Sequence, residues 1–264
     1  MAGRIYVGIG GWTFEPWRGP FYPDGLSQKR ELEYAASKLT SIEINGTYYG
    51  SQKPETFAKW RDETPDGFVF TVKGSRFCTN RKDLSQSADS VERFLNSGIT
   101  ELGPKLGPIN WQFMATKKFD AADFENFLRL LPPELNGVRL RHGLEVRHPS
   151  FQCLEFVELA RRYGAAIITG VDDPDFPVIA DLTSDFAYVR VMGAKEEHPK
   201  GYAEADLDQW AYRARTLAEG QVPGDLATFG PKATAKDHDV FLYFISGDKV
   251  MNPAAAMALI ERLA

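Results

Sequence analysis

The sequence predicts an α/β fold, a single TIM-type (β/α)8 barrel of parallel strands over residues 1–264. Three observations lead there. Short runs rich in Val, Ile, Phe and Tyr alternate with helical patterns from one end of the chain to the other, as in a parallel sheet whose crossovers are helices. The runs number eight, and at 264 residues that favours closure into a barrel over an open doubly wound sheet. No shift in composition and no repeat marks a second domain.

The first strand, Ile5–Ile9, runs into Gly10-Gly11-Trp12, where glycines let a ligand or another backbone come close. The G-x-G-x-x-G spacing of a dinucleotide site is missing. Helix Lys29–Lys38 leads to strand Ser41–Ile44, helix Pro54–Asp62 to Phe68–Val72, and helix Ser87–Leu95 to Ile109–Gln112. Helix Ala121–Leu131 carries Phe124, Phe127, Leu128 and Leu131 at i, i+3, i+4 and i+7, one apolar stripe for a sheet, and leads to strand Leu140–Val146. Helix Phe151–Tyr163 precedes strand Ala166–Thr169. The next gap, 172–185, contains Pro174 and Pro177, so the helix after strand six is short or missing. Strand Ala187–Val191, helix Glu204–Leu217, strand Val240–Phe244 and helix Pro253–Leu263 complete the pattern. Two long polar segments, 193–202 and 220–238, are either lids or solvated connections.

Composition narrows the function classes. With 43% hydrophobic residues and no run near the roughly 20 apolar residues of a membrane span, the chain reads as an ordinary globular protein with no membrane partner. It enters its first strand without a charged-then-apolar leader, which predicts a cytoplasmic location. A net charge of −5 disfavours nucleic acid as a partner, while leaving room for a local basic groove. Cys78 and Cys153 form no disulfide framework and no metal-like spacing, so reduced thiols are expected. The four histidines form no H-x-x-x-H pattern and pair with no cysteine, and a G-x-S-x-G elbow is absent. Neither a metal nor a cofactor is predicted.

In a parallel barrel the C-terminal strand ends form the functional face. Alternation pairs Glu43 with Asn45 at the second strand end and Glu145 with Arg147 at the fifth, where His148 follows. Thr71 and Lys73 should face into the barrel while Phe68 and Phe70 face the helices. Gln112 ends strand four, Asp172 follows strand six, and Arg190 shares a face with Tyr188 and Met192. Lys73, Arg147 and Arg190 against Glu43, Glu145 and Asp172 is either a self-neutralising structural network or the wall of a pocket for a small anionic or polyhydroxylated ligand. In the second reading Gln112 and Asn45 serve hydroxyls, and Trp12, Trp17, Tyr48 and Tyr49 offer stacking surfaces; these aromatics are otherwise core. Glu145 or Glu43 would act as acid/base in a hydrolase- or isomerase-type enzyme, with His148 assisting; alternatively His148, before Pro149, caps the turn into the next helix, and the barrel either uses the same cations for nucleic-acid phosphates or is a non-catalytic sensor or scaffold.

Taken together, certain segments are recognisable: Gly10-Gly11-Trp12, Trp17-Arg18-Gly19-Pro20-Phe21-Tyr22-Pro23, Ile42-Glu43-Ile44-Asn45-Gly46-Thr47-Tyr48-Tyr49, Phe68-Val69-Phe70-Thr71-Val72-Lys73, Leu106-Gly107-Pro108 with Gln112, Glu145-Val146-Arg147-His148 and Tyr188-Val189-Arg190. In this order they resemble the domain of unknown function 72 family, also called YecE-like, over nearly the whole chain. The resemblance implies a TIM-type barrel and no established activity. It carries Glu43, Asn45, Lys73, Gln112, Glu145, Arg147, His148 and Arg190 over as matching positions. The chain departs from the family pattern at Asn80 and Met192, where histidines are usual, and at Ile245-Ser246, where asparagines are usual. His-dependent chemistry or metal binding at the rim is thereby put in doubt.

Overall fold

A computed structural model describes residues 3–264. Ten strands occur in order: β1 (Ile5–Gly10), β2 (Ser41–Ile44), β3 (Val69–Lys73), β4 (Leu106–Gln112), β5 (Glu134–Leu135), β6 (Val138–Arg139), β7 (His142–Glu145), β8 (Ala166–Val171), β9 (Phe186–Val191) and β10 (Asp239–Phe244). Eight of them close a barrel in the order β1-β10-β9-β8-β7-β4-β3-β2, every pairing parallel, and β5 with β6 makes a small antiparallel hairpin outside it. The α-helices are α1 (Glu31–Lys38), α2 (Gly46–Tyr49), α3 (Pro54–Asp62), α4 (Arg76–Thr79), α5 (Ala88–Leu95), α6 (Ala121–Leu128), α7 (Leu154–Arg162), α8 (Glu204–Ala218) and α9 (Asn252–Leu263). No helix lies between β8 and β9, where Pro174 and Pro177 stand.

The expected α/β barrel is the observed fold, with shifts at element ends that have local causes. The fourth predicted helix ends at Leu128 rather than Leu131, because Pro132-Pro133 follows and the last amides turn back with i→i−3 bonds, Leu130 N to Phe127 O and Leu131 N to Leu128 O. The fifth barrel strand starts at His142 rather than Leu140, because Leu140 N bonds Pro133 O in the preceding hairpin. Segment 220–238 precedes β10, so it runs along the N-terminal end of the barrel. There Phe229 and Gly230 amides bond Asp181 and Ala180 N bonds Ala227 O, which makes it a packed connection away from the mouth.

Burial follows alternation. Ile42, Ile44, Phe70, Val72, Trp111 and Leu144 point outward into the layer beneath the helices, where all are buried. Inward-facing residues form a second, separate apolar cluster. Tyr6 stacks on Phe241 with ring centroids 5.0 Å apart, Phe186 meets Phe241 edge-on, and Tyr188 lies 5.2 Å from Tyr243. This plug fills the lower barrel and gives way towards the C-terminal end to charged side chains. Two hydroxyl networks join the layers: Tyr243 Oη bonds Ser41 Oγ at 2.6 Å, and Tyr188 Oη meets Thr71 Oγ1 at 3.1 Å while donating to Glu43.

Candidate functional site

The upper interior of the barrel holds a network anchored on two glutamates. Glu43 ends β2 facing inward and is fully buried; Arg190 Nη2 donates to its Oε1 at 3.2 Å, and Asn110 Nδ2 and the Tyr188 hydroxyl donate to its Oε2. Glu145 ends β7. Its Oε1 accepts from Arg190 Nη1 at 2.6 Å and from Arg147 Nε at 2.8 Å, and its Oε2 from Asn110 Nδ2 at 2.9 Å. Arg190 thus bridges both carboxylates, and Asn110 clamps both from the other side. Arg147 is held three ways: by Glu145, by Gln112 Oε1 at 2.9 Å, and by the Phe176 ring beneath its guanidinium at 4.6 Å.

These contacts set the ionisation. Burial pushes the Glu145 carboxyl up, but the charges of Arg190, Lys73 and Arg147 and the Asn110 hydrogen bond outweigh it and hold it well below the usual carboxylate range. Burial disfavours the Arg190 cation, and attraction to Glu145 and Glu43 reverses that, raising it above its ordinary value. Burial, reinforced by repulsion from Arg190, pulls Lys73 down to about 8 in spite of Glu145 and Glu43. Burial and the neighbouring Glu43 raise the Tyr188 phenol well above its ordinary range.

Above this network opens a cavity of about 770 Å³, lined in part by Trp12, Asn45, Tyr49, Lys73, Gln112 and Arg147, with Arg190 at its base. Gly10 makes the close approach expected of it, since a Cβ there would lie 2.6 Å from Asn45 Nδ2. Gly10, Gly11, Ser246, Lys249, Asn252, Gln52 and Trp60 complete much of the wall. Among the described residues, four cationic side chains line the cavity, Lys73, Arg147, Arg190 and Lys249, and no carboxylate does. Glu43 and Glu145 stand behind the arginines. Two buried polar atoms of lining residues, Arg190 Nε and Asn252 Oδ1, have no hydrogen-bond partner among the described residues.

Among the residues singled out by sequence, Trp12, Asn45, Tyr49, Lys73, Gln112, Arg147 and Arg190 meet at this cavity, with Glu43 and Glu145 directly beneath. Four others do not line it. Asp172 turns away in a left-handed conformation (φ 63°) towards Trp210 and Arg213, so the rim has two carboxylates and not three. Trp17 is buried core, its indole N–H donating to Lys249 O at 2.8 Å, and offers no stacking face. His148 caps the turn at Pro149–Phe151, Nδ1 accepting from Ser150 N at 3.1 Å, and does not line the cavity. Tyr48 sits at the edge, its ring under Lys73 and its hydroxyl accepting from Gln112 and Asn80. Of the positions that depart from the family pattern, Ser246 lines the cavity, Met192 is buried beside Gly170, and Asn80 is exposed. Asn110 escaped the sequence reading although it lies two residues before Gln112 on the same face of β4. Lys249, Asn252 and Gln52 lie outside strand ends and carried no signal. Among the described residues, no group of three His, Cys, Asp or Glu side chains could hold a metal ion, and no helix is long and apolar enough to cross a membrane.

A family model described as "Protein of unknown function DUF72" matches residues 6–264. The chain is 32% identical over 150 residues to UPF0759 protein YecE of Escherichia coli (strain K12), covering 56% of this chain and 50% of that protein. To UPF0759 protein YunF of Bacillus subtilis (strain 168) it is 27% identical over 114 residues, covering 41% and 39%. These alignments span half or less of the curated relatives' own length. The crystal structure of a DUF72 family protein from Thermotoga maritima MSB8 superposes with a TM-score of 0.75 at 23% identity, covering 98% of this chain and 99% of that one, a likeness of fold.

Proposed function

From the premise that this chain belongs to the DUF72 family, whose function is unknown, we propose that its barrel mouth binds a small molecule bearing a phosphate or carboxylate group. One observation carries the reading: the cavity wall presents four cations and no carboxylate, although the chain as a whole has a net charge of −5. Both oxygens of each of the two nearest glutamates are engaged by donors, so these carboxylates orient the arginines and do not compete with a ligand. Arginines fixed from behind present their remaining N–H groups at little entropic cost, which suits planar oxyanions. The Arg147 fork supplies donors, Asn45 and Gln112 suit hydroxyls on the same molecule, and Trp12 and Tyr49 flank it.

Glu43 and Glu145 then serve as positioning residues and not as the acid/base pair of a hydrolase or isomerase. Acid/base work, where the ligand is also a substrate, falls to Lys73, whose pKa of about 8 places it near neutrality. The net charge of −5 favours a small ligand over nucleic acid, and a cytoplasmic site of action fits such a metabolite. Thermal denaturation with inorganic phosphate, citrate and a sugar phosphate tests the reading. Stabilisation of the wild-type protein that is lost in Arg147→Gln supports it. An unmoved melting temperature throughout the panel refutes it, and binding of an oligonucleotide with a steep salt slope replaces it with a nucleic-acid site.

A further inference from the structure

Three lysines have little exposed surface near the ends of barrel strands or their flanking helices, and they differ in what their amines touch. Lys105 is buried with Nζ donating to Arg61 O at 2.7 Å, Thr64 O at 2.5 Å and Thr64 Oγ1 at 3.2 Å, so every donor is used. Lys117 Nζ likewise bonds Lys82 O and Arg81 O and pairs with Asp123. Lys73 is as buried as Lys105, yet among the described residues its Nζ has no hydrogen-bond acceptor and no ion pair; it lies over the Tyr48 ring, 5.2 Å from the centroid, and lines the mouth cavity. A buried ammonium with three unused donors is costly as a structural element. The carboxylates that would keep it charged are engaged elsewhere, Glu43 by Arg190, Asn110 and Tyr188, and Glu145 by Arg190, Arg147 and Asn110. Arg190 and Arg147 add positive charge beside it, and a neutral amine relieves that repulsion.

We propose that Lys73 is a nucleophilic amine that forms an imine with a small carbonyl compound carrying a phosphate or carboxylate group. This rests on the anion-binding reading of the same cavity: Arg147, Arg190 and Lys249 hold the anionic end and the carbonyl carbon meets Nζ. The Nζ lone pair attacks that carbon, the C=O pair moves to oxygen, and a proton passes from nitrogen to oxygen to give a carbinolamine. The hydroxyl leaves as water with one further proton, and the protonated C=N remains on Lys73; nothing is oxidised or reduced. The cationic imine draws electrons from the adjacent carbon, so the class of reaction is proton exchange or carbon–carbon bond making and breaking at that carbon. The direction of the Lys73 shift, with the neutral amine populated near neutrality, agrees with this chemistry.

The test is reductive trapping. The full chain is incubated at neutral pH with glyoxylate, pyruvate or dihydroxyacetone phosphate and sodium cyanoborohydride, and the adduct is mapped by peptide mass spectrometry. At least one of these compounds should modify Lys73 about tenfold or more faster than exposed lysines such as Lys59 and Lys195. Inorganic phosphate should slow it, and glycolaldehyde, which lacks the anion, should react with Lys73 no faster than with the surface lysines. Lys73→Arg should lose the adduct, which identifies Nζ as the reacting atom. Adducts spread over lysines by exposure, with phosphate still stabilising the protein, overturn the amine and leave the anion site standing. Loss of both signals in the wild-type chain overturns both.

Discussion

Replacing Glu145 by Gln removes one of the two negative charges from a network that contains three cations. In the native network the carboxylate accepts from Arg190 at 2.6 Å, Arg147 at 2.8 Å and Asn110 at 2.9 Å, with almost no solvent access. Glutamine keeps the shape, but its amide presents N–H groups towards donors and leaves Arg190 with Glu43 alone. Breaking a buried pair from one side costs about 3–5 kcal/mol, because the remaining charge is stranded. For a chain of this size that lowers the melting temperature by roughly 10 °C, within the 5–15 kcal/mol by which domains are usually stable. The second half of the prediction separates a positioning role from a catalytic one. Glu145→Gln frees the Arg190 and Arg147 guanidiniums from the carboxylate that orients them, so inorganic phosphate should raise the melting temperature of the variant by less than it raises that of the wild type. Differential scanning fluorimetry at low ionic strength, with and without phosphate, reads both quantities. A variant melting within about 2 °C of wild type, where about 1 kcal/mol corresponds to 2–4 °C, would refute the buried network. A phosphate response equal to or larger than that of the wild type would refute the positioning role.

Other expectations follow from the same structure. His142 is buried with Nδ1 accepting from Trp111 Nε1 and Nε2 facing Pro132 O, an arrangement only the neutral ring satisfies, and burial brings its pKa down to about 4. The unfolded chain therefore binds this proton first. The contribution is fully present above pH 6.5 and is lost as pH falls towards 4, about 3 kcal/mol in all, so denaturant melts of His142→Gln should show a shallower acid limb than wild type. Gly8→Ala places a Cβ 1.9 Å from Ser41 O between β1 and β2, which should prevent closure of the barrel and be seen as insoluble expression or loss of cooperative melting. Arg147→Gln, on the half-buried rim, should leave melting nearly unchanged without ligand and abolish phosphate stabilisation, because its loss empties the cavity wall without stranding Glu145, which keeps Arg190. Trp17→Phe removes a buried donor to Lys249 O and should cost about 1–3 kcal/mol in denaturant titration.

Much of this molecule is legible along the chain because the barrel is built from local periodicities. Alternation decides which side chains of a strand face inward, so Glu43, Thr71, Lys73, Gln112, Glu145 and Arg190 could be placed together before any strand order was known. The same rule contained Asn110, which a stricter count back from Gln112 on β4 would have found. Periodicity stops where the strands stop. Asp172 takes a left-handed turn and leaves the rim, His148 spends its Nδ1 on a cap, and Trp17 folds into the core, each decided by a loop path that no repeat encodes.

Sequence alone determined the strand and helix alternation, the inward-facing residues and the end of the barrel at which they collect, since these follow from bonding periods of two and 3.6 residues. Only the tertiary structure decided which charges meet. Arg190, Glu43 and Glu145 come from β9, β2 and β7, and Coulomb attraction acts on distance in space, not along the chain. That pairing turns the glutamates inward as supports and leaves Lys73, Arg147, Arg190 and Lys249 facing an acid-free cavity.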